Sequence, residues 1–368
     1  MNRLVALAMP AGEEFVTELR RCWDRDDAVL PIDPRLPTPA RERLLTALRP
    51  DRVVGTGAVQ ERSDGVPVEP GDALVVATSG TTGEPKGVVL SHDAVAASAR
   101  ATSGRLAVDP TIDRWLACLP VAHVGGLSVV TRALVTGTPL EIHPRFDPAN
   151  VHRAQRSGAT LVSMVPTMLR RMDVSGFRTV LLGGAAIPAD RPANAVATYG
   201  LTETGSGVVY DHRPLDGVEV RVVDGELQVR GPMLLRAYRD GTDPKTSDGW
   251  LPTGDAGSVD ADGRVDVQGR IGDLIVTGGE NVWPAPVEAV LRDLPAIAEV
   301  AVVGRPDPEW GQRVTALIVV TPNHDPPTLD AVRDAVRQVL PAFAAPRRIE
   351  TVDRLPQTAL GKVRRSAL

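Results

Sequence analysis

The chain has 368 residues, 43% of them hydrophobic: long enough for two or three domains with sizeable cores, and too apolar for a disordered protein. A formal net charge of −5, with no basic tract interleaved with aromatics, gives no reason to expect a nucleic-acid partner. No apolar run approaches the roughly 18 residues that cross a bilayer, and Cys22 and Cys118 lack a metal-ligand pattern, so the reading is a cytoplasmic protein with two reduced, buried thiols and no membrane insertion.

Leu4 to Met9 reads as a first strand; it is short, ends at Pro10 and leads into Glu13-Glu14, which makes it a poor signal peptide. A helix is predicted over Pro39–Leu48 within an N-terminal stretch rich in Pro, Arg and Asp. The apolar, β-branched run Ala73–Ala77 predicts a buried strand. Val88–Leu90 follows as another, and Ser91 is a good N-cap for an alanine-rich helix reaching about Ala101. Strand-like runs at Trp115–Leu119, Thr160–Met164 and Thr179–Leu182, interleaved with helical stretches, argue for a layered α/β core. From Gly217 to Val267 the pattern becomes short alternating strands with Asp-Gly turns at 224–225 and 262–263, a β-rich subdomain. Beyond Ile271, strands at Glu299–Val303 and Val314–Val320 and a helix at Leu329–Leu340 predict a compact α+β unit. The expected fold class is therefore α/β, with a large N-terminal domain over residues 1–270 and a small, mobile α+β C-terminal domain over residues 273–368.

The most informative stretch is Thr78-Ser-Gly-Thr-Thr-Gly-Glu-Pro-Lys-Gly87. Gly80, Gly83 and Gly87 let the backbone bring its amides close to an anion. Ser79, Thr81 and Thr82 add hydroxyl donors, and Lys86 adds a point charge suited to phosphate oxygens. A strand feeding such a loop is a nucleotide-phosphate cradle. It is not a Walker A loop, because Gly87 stands after the lysine where Ser or Thr would be needed. Lysine itself is scarce: of 41 basic residues only Lys86, Lys245 and Lys362 are lysines, the rest arginines. A chain so biased uses lysine where a compact ammonium with rotatable donors differs from a planar fork.

The loop resembles the phosphate loop of the adenylate-forming superfamily of acyl-CoA synthetases, luciferases and peptide-synthetase adenylation domains. Tyr199-Gly-Leu-Thr-Glu-Thr204, Thr253-Gly-Asp255, Gly269-Arg-Ile-Gly-Asp-Leu-Ile275 and Gly361-Lys362 follow in that family's order, so the resemblance covers the chain from about Leu74 to its end. It implies ATP and Mg2+ as cofactors, coenzyme A as co-substrate, and thioester formation from a carboxylic acid through an acyl-adenylate. That chemistry gathers negative charge on phosphorus oxygens and needs a cation, a lysine and oriented donors. By the resemblance, Lys362 bridges carboxylate and α-phosphate, Thr202 contacts the α-phosphate, and Glu203 holds Mg2+ as the hard oxygen ligand that ion prefers. ATP binding falls to Thr78, Ser79, Gly80, Thr81, Thr82, Gly83 and Lys86 at the phosphates. Gly183, Gly184, Ala185 and Tyr199 would serve the adenine, and Asp255 with Arg270 the ribose. The plainer reading of an aspartate beside a glycine is a turn residue.

Leu119-Pro-Val-Ala-His123-Val-Gly-Gly126 resembles the motif where acyl-CoA synthetases place a histidine at the acyl pocket, which makes His123 a catalytic and, with Gly126, a substrate-binding candidate. Nine residues on, Arg132 interrupts the apolar run Leu127–Val135. A charge there is ordinarily solvated or paired. Menaquinone-pathway ligases that activate o-succinylbenzoate carry a basic residue at the same distance, and a buried fork suits the carboxylate that does not react. Three departures stand out. The hinge position holds Gly272, the stretch from Ala186 to Tyr199 is short enough to remove most of a helix near the adenine, and the segment before the phosphate loop is trimmed. The trimming bears on the rim of the acyl pocket and on a homodimer surface. The expected function is an ATP- and CoA-dependent ligase for o-succinylbenzoate. The alternatives are another aryl- or acyl-CoA ligase, an adenylase serving a carrier protein, and a degenerate, non-catalytic nucleotide-binding protein. The presence of Lys362, Glu203 and Asp255 argues against decay.

Overall fold

A computed structural model describes residues 2–79, 85–169, 171–185, 187–188, 190–357 and 363–368. By contacts the chain divides into two units: residues 1–220 with 228–252, and residues 221–227 with 253–368.

The first unit holds two seven-stranded sheets. One is built from β1 (Leu4–Ala8), β2 (Ala28–Pro31), β3 (Arg52–Gly55), β4 (Ala58–Glu61), β5 (Asp72–Ser79) and β6 (Pro85–Ser91), with a short strand Ala237–Tyr238 added beyond β6. Its centre is parallel, β5 and β6 form an antiparallel hairpin, and Tyr238 pairs with Val88 on the outer edge. The core strands are near-continuous apolar runs, as buried parallel strands must be. Helices α1 (Glu13–Trp23) and α2 (Thr38–Leu48) contribute Phe15, Leu19, Leu45 and Leu48 to the interior.

The second sheet contains β7 (Trp115–Ala117), β8 (Leu140–Ile142), β9 (Leu161–Met164), β10 (Thr179–Leu182), β11 (Ala195–Leu201), β12 (Ser206–Tyr210) and β13 (Arg213–Pro214). Strands β8, β7, β9, β10 and β11 run parallel, β12 is antiparallel to β11, and β13 pairs antiparallel with β12 at the edge. Between the sheets in sequence lies α3 (His92–Arg105), started by the Ser91 hydroxyl accepting from Ala94 N at 3.1 Å. Helix α4 (Val124–Thr136) follows β7. Among the described residues no helix intervenes between β10 and β11, in keeping with the shortened stretch read from the sequence.

In the second unit Asp224 and Gly225, at φ +50° and +82°, make the two-residue turn expected of an Asp-Gly pair. Strands β14 (Leu251–Val259) and β15 (Val265–Arg270) form the hairpin at whose turn Gly263 takes φ +73°. Beyond a 3-10 turn at Ile271–Asp273 comes an α+β fold. It is built from β16 (Ile275–Thr277), β17 (Glu280–Val282), helix α5 (Pro284–Arg292), β18 (Ile297–Asp307), β19 (Gly311–Val320), helix α6 (Leu329–Arg337) and β20 (Arg348–Thr351). Val287, Leu291, Val332 and Val336 on the two helices pack with Val300, Val302, Val314 and Ile318 on the central strands. The contact boundary falls near Pro252, ahead of the boundary expected at 270–273.

Cys22 and Cys118 are free and buried, and burial pushes both thiols up to about 12. Among the described residues no helix is long and apolar enough to cross a membrane.

Candidate active site

Parallel strands direct their carboxyl ends to one edge of a sheet, where open α/β folds collect their ligands. At this edge of the second sheet β7 leads to the segment ending in His123, β10 to Gly183–Ala185, and β11 to Tyr199 and the Thr202–Thr204 turn. Residues that the sequence motifs scatter over some eighty positions are thus gathered by topology alone. Gly184 takes φ +79°, a conformation side chains disfavour. Thr198 donates to Leu182 O at 2.9 Å and closes the floor beneath Gly183. Tyr199 is half-buried on β11 opposite Val209.

The Thr202–Glu203 turn is fastened from both sides. Thr204 is fully buried; its hydroxyl accepts from Leu201 N at 2.9 Å and reaches Ser206 O at 2.7 Å. Glu203 is held by its main chain, whose carbonyl accepts from Leu235 N at 2.7 Å, and by its side chain, whose Oε1 accepts from the Tyr238 hydroxyl at 3.0 Å. Among the described residues no group of three or more His, Cys, Asp or Glu gathers around a cation. A single carboxylate that leaves the other ligands to phosphates and water suits magnesium. The donor set fits that ion.

Thr78 and Ser79 end β5, and Lys86 lies on β6 in register with Thr78, so the lysine belongs to a strand and not to the loop itself. Its Nζ stands 5.0 Å from the centre of the Tyr238 ring. Gly80, Thr81, Thr82 and Gly83 lie outside the described residues, as does Lys362. Lys245, the third lysine, donates to Leu235 O and Arg236 O at 2.9 Å each and pairs with Asp243 at 2.8 Å. A rotatable ammonium meets three acceptors there that a planar fork could not serve together.

His123 occupies the N-cap position of α4. Burial holds its imidazole below the ordinary histidine range; Asp33 opposes that effect and Arg35 adds to it. Gly126 has a packing reason of its own: a Cβ there would stand 2.4 Å from Pro120 O and 2.6 Å from Leu119 O. Arg132 is 2% exposed on the buried face of α4. Its Nη2 donates to Ser206 Oγ at 3.1 Å and its guanidinium lies over the Trp115 ring, while Nε and Nη1 have no hydrogen-bond partner among the described residues. Burial pulls its pKa down, without removing a charge that arginine keeps in proteins. It borders a small space of about 10 Å³ lined also by Val95, Leu127, Ser128 and Thr131. That is room for about one water. The sequence suggested a fork facing a substrate pocket; the fork here borders this small space.

In the second unit Asp255 is 5% exposed within β14, so it is a strand residue and not a turn residue. Arg270 lies directly opposite across the hairpin; its Nε meets Asp255 Oδ1 at 3.0 Å and its Nη1 donates to Thr253 O at 2.7 Å. Gly272 sits in the 3-10 turn, where a Cβ would meet nothing within 4 Å and φ lies outside the left-handed range. Arg365 fastens the chain end to the neighbourhood of that turn, pairing with Asp273 at 3.6 Å and with Glu288.

Sequence reasoning missed Tyr238, Thr204 and Ser206. Rarity was the available signal for the first, since the chain has three tyrosines, and both Tyr199 and Tyr210 fall in or beside the quoted motifs.

The AMP-binding enzyme family matches residues 55–239, and the AMP-binding enzyme C-terminal domain matches residues 286–362. A probable 2-succinylbenzoate–CoA ligase of Mycobacterium tuberculosis is 38% identical, over 99% of this chain and 97% of its own length. The 2-succinylbenzoate–CoA ligase of Enterococcus faecalis is 33% identical over 79% of this chain and 68% of its own. The fold is similar to that of o-succinylbenzoate CoA synthetase from Bacillus subtilis in complex with its acyl-adenylate intermediate. The TM-score is 0.87 at 27% identity, covering 99% of this chain and 87% of that one. The same enzyme solved with ATP and magnesium ion gives 0.87 over 100% and 89%.

Proposed function

Since this chain belongs to the AMP-binding enzyme family, we propose that it is an AMP-forming acid–thiol ligase that converts 2-succinylbenzoate to 2-succinylbenzoyl-CoA, a step of menaquinone biosynthesis. The observation that carries the reading is the convergence of Gly183–Ala185, Tyr199 and Thr202–Glu203 on the carboxyl edge of one sheet, in a chain aligned with that ligase over nearly its whole length.

In the first half-reaction a carboxylate oxygen attacks the α-phosphorus of ATP and pyrophosphate departs. In the second the thiol sulfur of coenzyme A attacks the acyl carbon, loses its proton, and AMP departs. Gly183, Gly184 and Ala185 offer the purine a bare backbone against which Tyr199 can lay its ring. Thr202 donates to the α-phosphate, Lys86 and the loop of Thr78 to Gly83 meet the outer phosphates, and Asp255, steadied by Arg270, accepts from the ribose hydroxyls. Glu203 would hold magnesium, which neutralises charge gathering on the phosphates. Lys362 bridges the two reacting groups during adenylation. His123, its pKa lowered in a half-buried position, lines the entry of the acyl group with Gly126, and Gly272 is the hinge between the two half-reactions. Arg132 would meet the carboxylate that does not react, supported by the two donor nitrogens that have no partner among the described residues. A ligase drawing on ATP and coenzyme A fits the cytoplasm.

The test is pyrophosphate release from a panel of carboxylic acids, with and without coenzyme A. The reading expects 2-succinylbenzoate to exceed benzoate, malonate and fatty acids by orders of magnitude in kcat/KM. Preference for a monocarboxylate would favour another aryl- or acyl-CoA ligase.

A further inference from the structure

Tyr238 touches two residues that the proposed reaction needs and that come from different parts of the first unit. Its hydroxyl donates to Glu203 Oε1 at 3.0 Å, and its ring carries the Lys86 ammonium 5.0 Å from its centre. We infer that Tyr238 is a positioning residue that orients the Glu203 carboxylate for magnesium and holds Lys86 for the phosphates; the inference rests on the ligase reading above.

The segment bearing Tyr238 is anchored far beyond what a two-residue edge strand requires. Arg236 N donates to Val89 O and Arg239 N to Gly87 O, which seats the strand on β6. Arg236 forks onto Asp72 at 2.8 and 2.9 Å, and Arg239 caps the carbonyls of Leu48 and Pro67 at 3.2 and 2.9 Å and that of Val66. Lys245 ties down the two carbonyls just ahead of the strand. Leu235 N, in the same segment, donates to the Glu203 carbonyl. A short edge strand held by two arginines and a lysine is a rigid platform, and what it presents between those anchors is one tyrosine.

The chemistry of the contact is two-sided. A carboxylate and an ammonium left close together pair with each other, and such a pair competes with cation and phosphate for both groups. An aromatic face satisfies the ammonium without neutralising it, and a hydroxyl fixes one carboxylate oxygen without occupying the other. Tyrosine supplies both from one side chain. Phenylalanine would keep the face and lose the hydroxyl; leucine would lose both.

ATP binding without acyl substrate, measured by calorimetry over a magnesium series and again in EDTA, tests this without turnover. Tyr238→Phe should raise the magnesium concentration for half-maximal tightening of ATP about tenfold, with ATP affinity in EDTA at the wild-type value. Tyr238→Leu should show the same shift and weaken ATP in EDTA as well. In turnover, Tyr238→Phe should lose more in apparent magnesium affinity than in kcat. Glu203→Gln should also shift the magnesium midpoint, and adding Tyr238→Phe to it should shift it no further. An unchanged midpoint in Tyr238→Phe, or equal weakening of ATP with and without magnesium in both tyrosine variants, would overturn the inference. A wild-type midpoint in Glu203→Gln would instead strike at the assignment of Glu203.

Discussion

Arg132 lies with its guanidinium 4.8 Å above the Trp115 ring, the arginine on α4 and the tryptophan on β7, both all but excluded from solvent. A desolvated cation on an indole face is worth about 2 kcal/mol, so the stack alone offsets part of the cost of burying the charge. The remaining donors can be met by an anion, by a water in the adjoining space or by a neighbour that moves. The proposed substrate supplies the anion, on the condition that side chains of α3 and α4 yield to admit it.

Arg132→Met keeps most of the buried volume while removing the charge. If the arginine receives the remote carboxylate, kcat/KM for 2-succinylbenzoate should fall by the equivalent of about 2–5 kcal/mol. A monocarboxylate analogue without the unreactive carboxylate should react as with the wild type, and Arg132→Lys should recover part of the loss. A parallel drop on both substrates would reduce Arg132 to a support for Trp115 and Ser206.

Asp255→Ala should weaken ATP by about 1–3 kcal/mol, the range of hydrogen bonds to a charged group. Its ion pair with Arg270 puts the carboxylate in a fixed place, so equilibrium binding of ATP reads the change directly. An unchanged dissociation constant would leave Asp255 with a structural role in the hairpin.

Gly272→Ala should leave the fold and both half-reactions near wild type, because a Cβ there meets open space and the backbone does not need a left-handed φ. Gly272→Pro fixes φ near −65° and disfavours a helical Ile271. It should therefore block conversion between adenylation and thioester formation, read as loss of overall turnover with one half-reaction retained. Wild-type rates for both in the proline variant would place the hinge elsewhere.

Lys362→Ala should lower adenylation by roughly 10²–10³, the cost of one preorganised group aimed at developing charge. Thioester formation from synthetic acyl-adenylate should continue. Equal losses in both steps would contradict the proposed exchange of conformations.

Much of the fold was legible because its signals are local. Ser91 caps α3 as its hydroxyl predicts, and Asp224-Gly225 turns the chain where the pair demands positive φ. The helix expected to reach Leu340 ends at Arg337, with one further turn in which Leu340 N still donates to Val336 O. Helix α1 went unread although its pattern is plain: Phe15, Leu19 and Cys22 face inward between an acidic first turn and a basic last one. The candidate site divides the same way. Motif residues could be named from their neighbours in sequence, whereas Tyr238 reaches Glu203 across a separation of 35 residues through the pairing of an edge strand, which no local pattern encodes. The water-sized space at Arg132 is likewise a property of how α3 and α4 meet.

The central claim is that the carboxylate is activated by direct attack on the α-phosphorus of ATP. The most direct measurement supplies 2-succinylbenzoate labelled with ¹⁸O in both carboxylates, with ATP, magnesium and coenzyme A, and examines the products by mass spectrometry. The account predicts AMP carrying one ¹⁸O, unlabelled pyrophosphate, and a thioester retaining the remaining labels. Formation of ADP with ¹⁸O in orthophosphate, or AMP free of label, would contradict it.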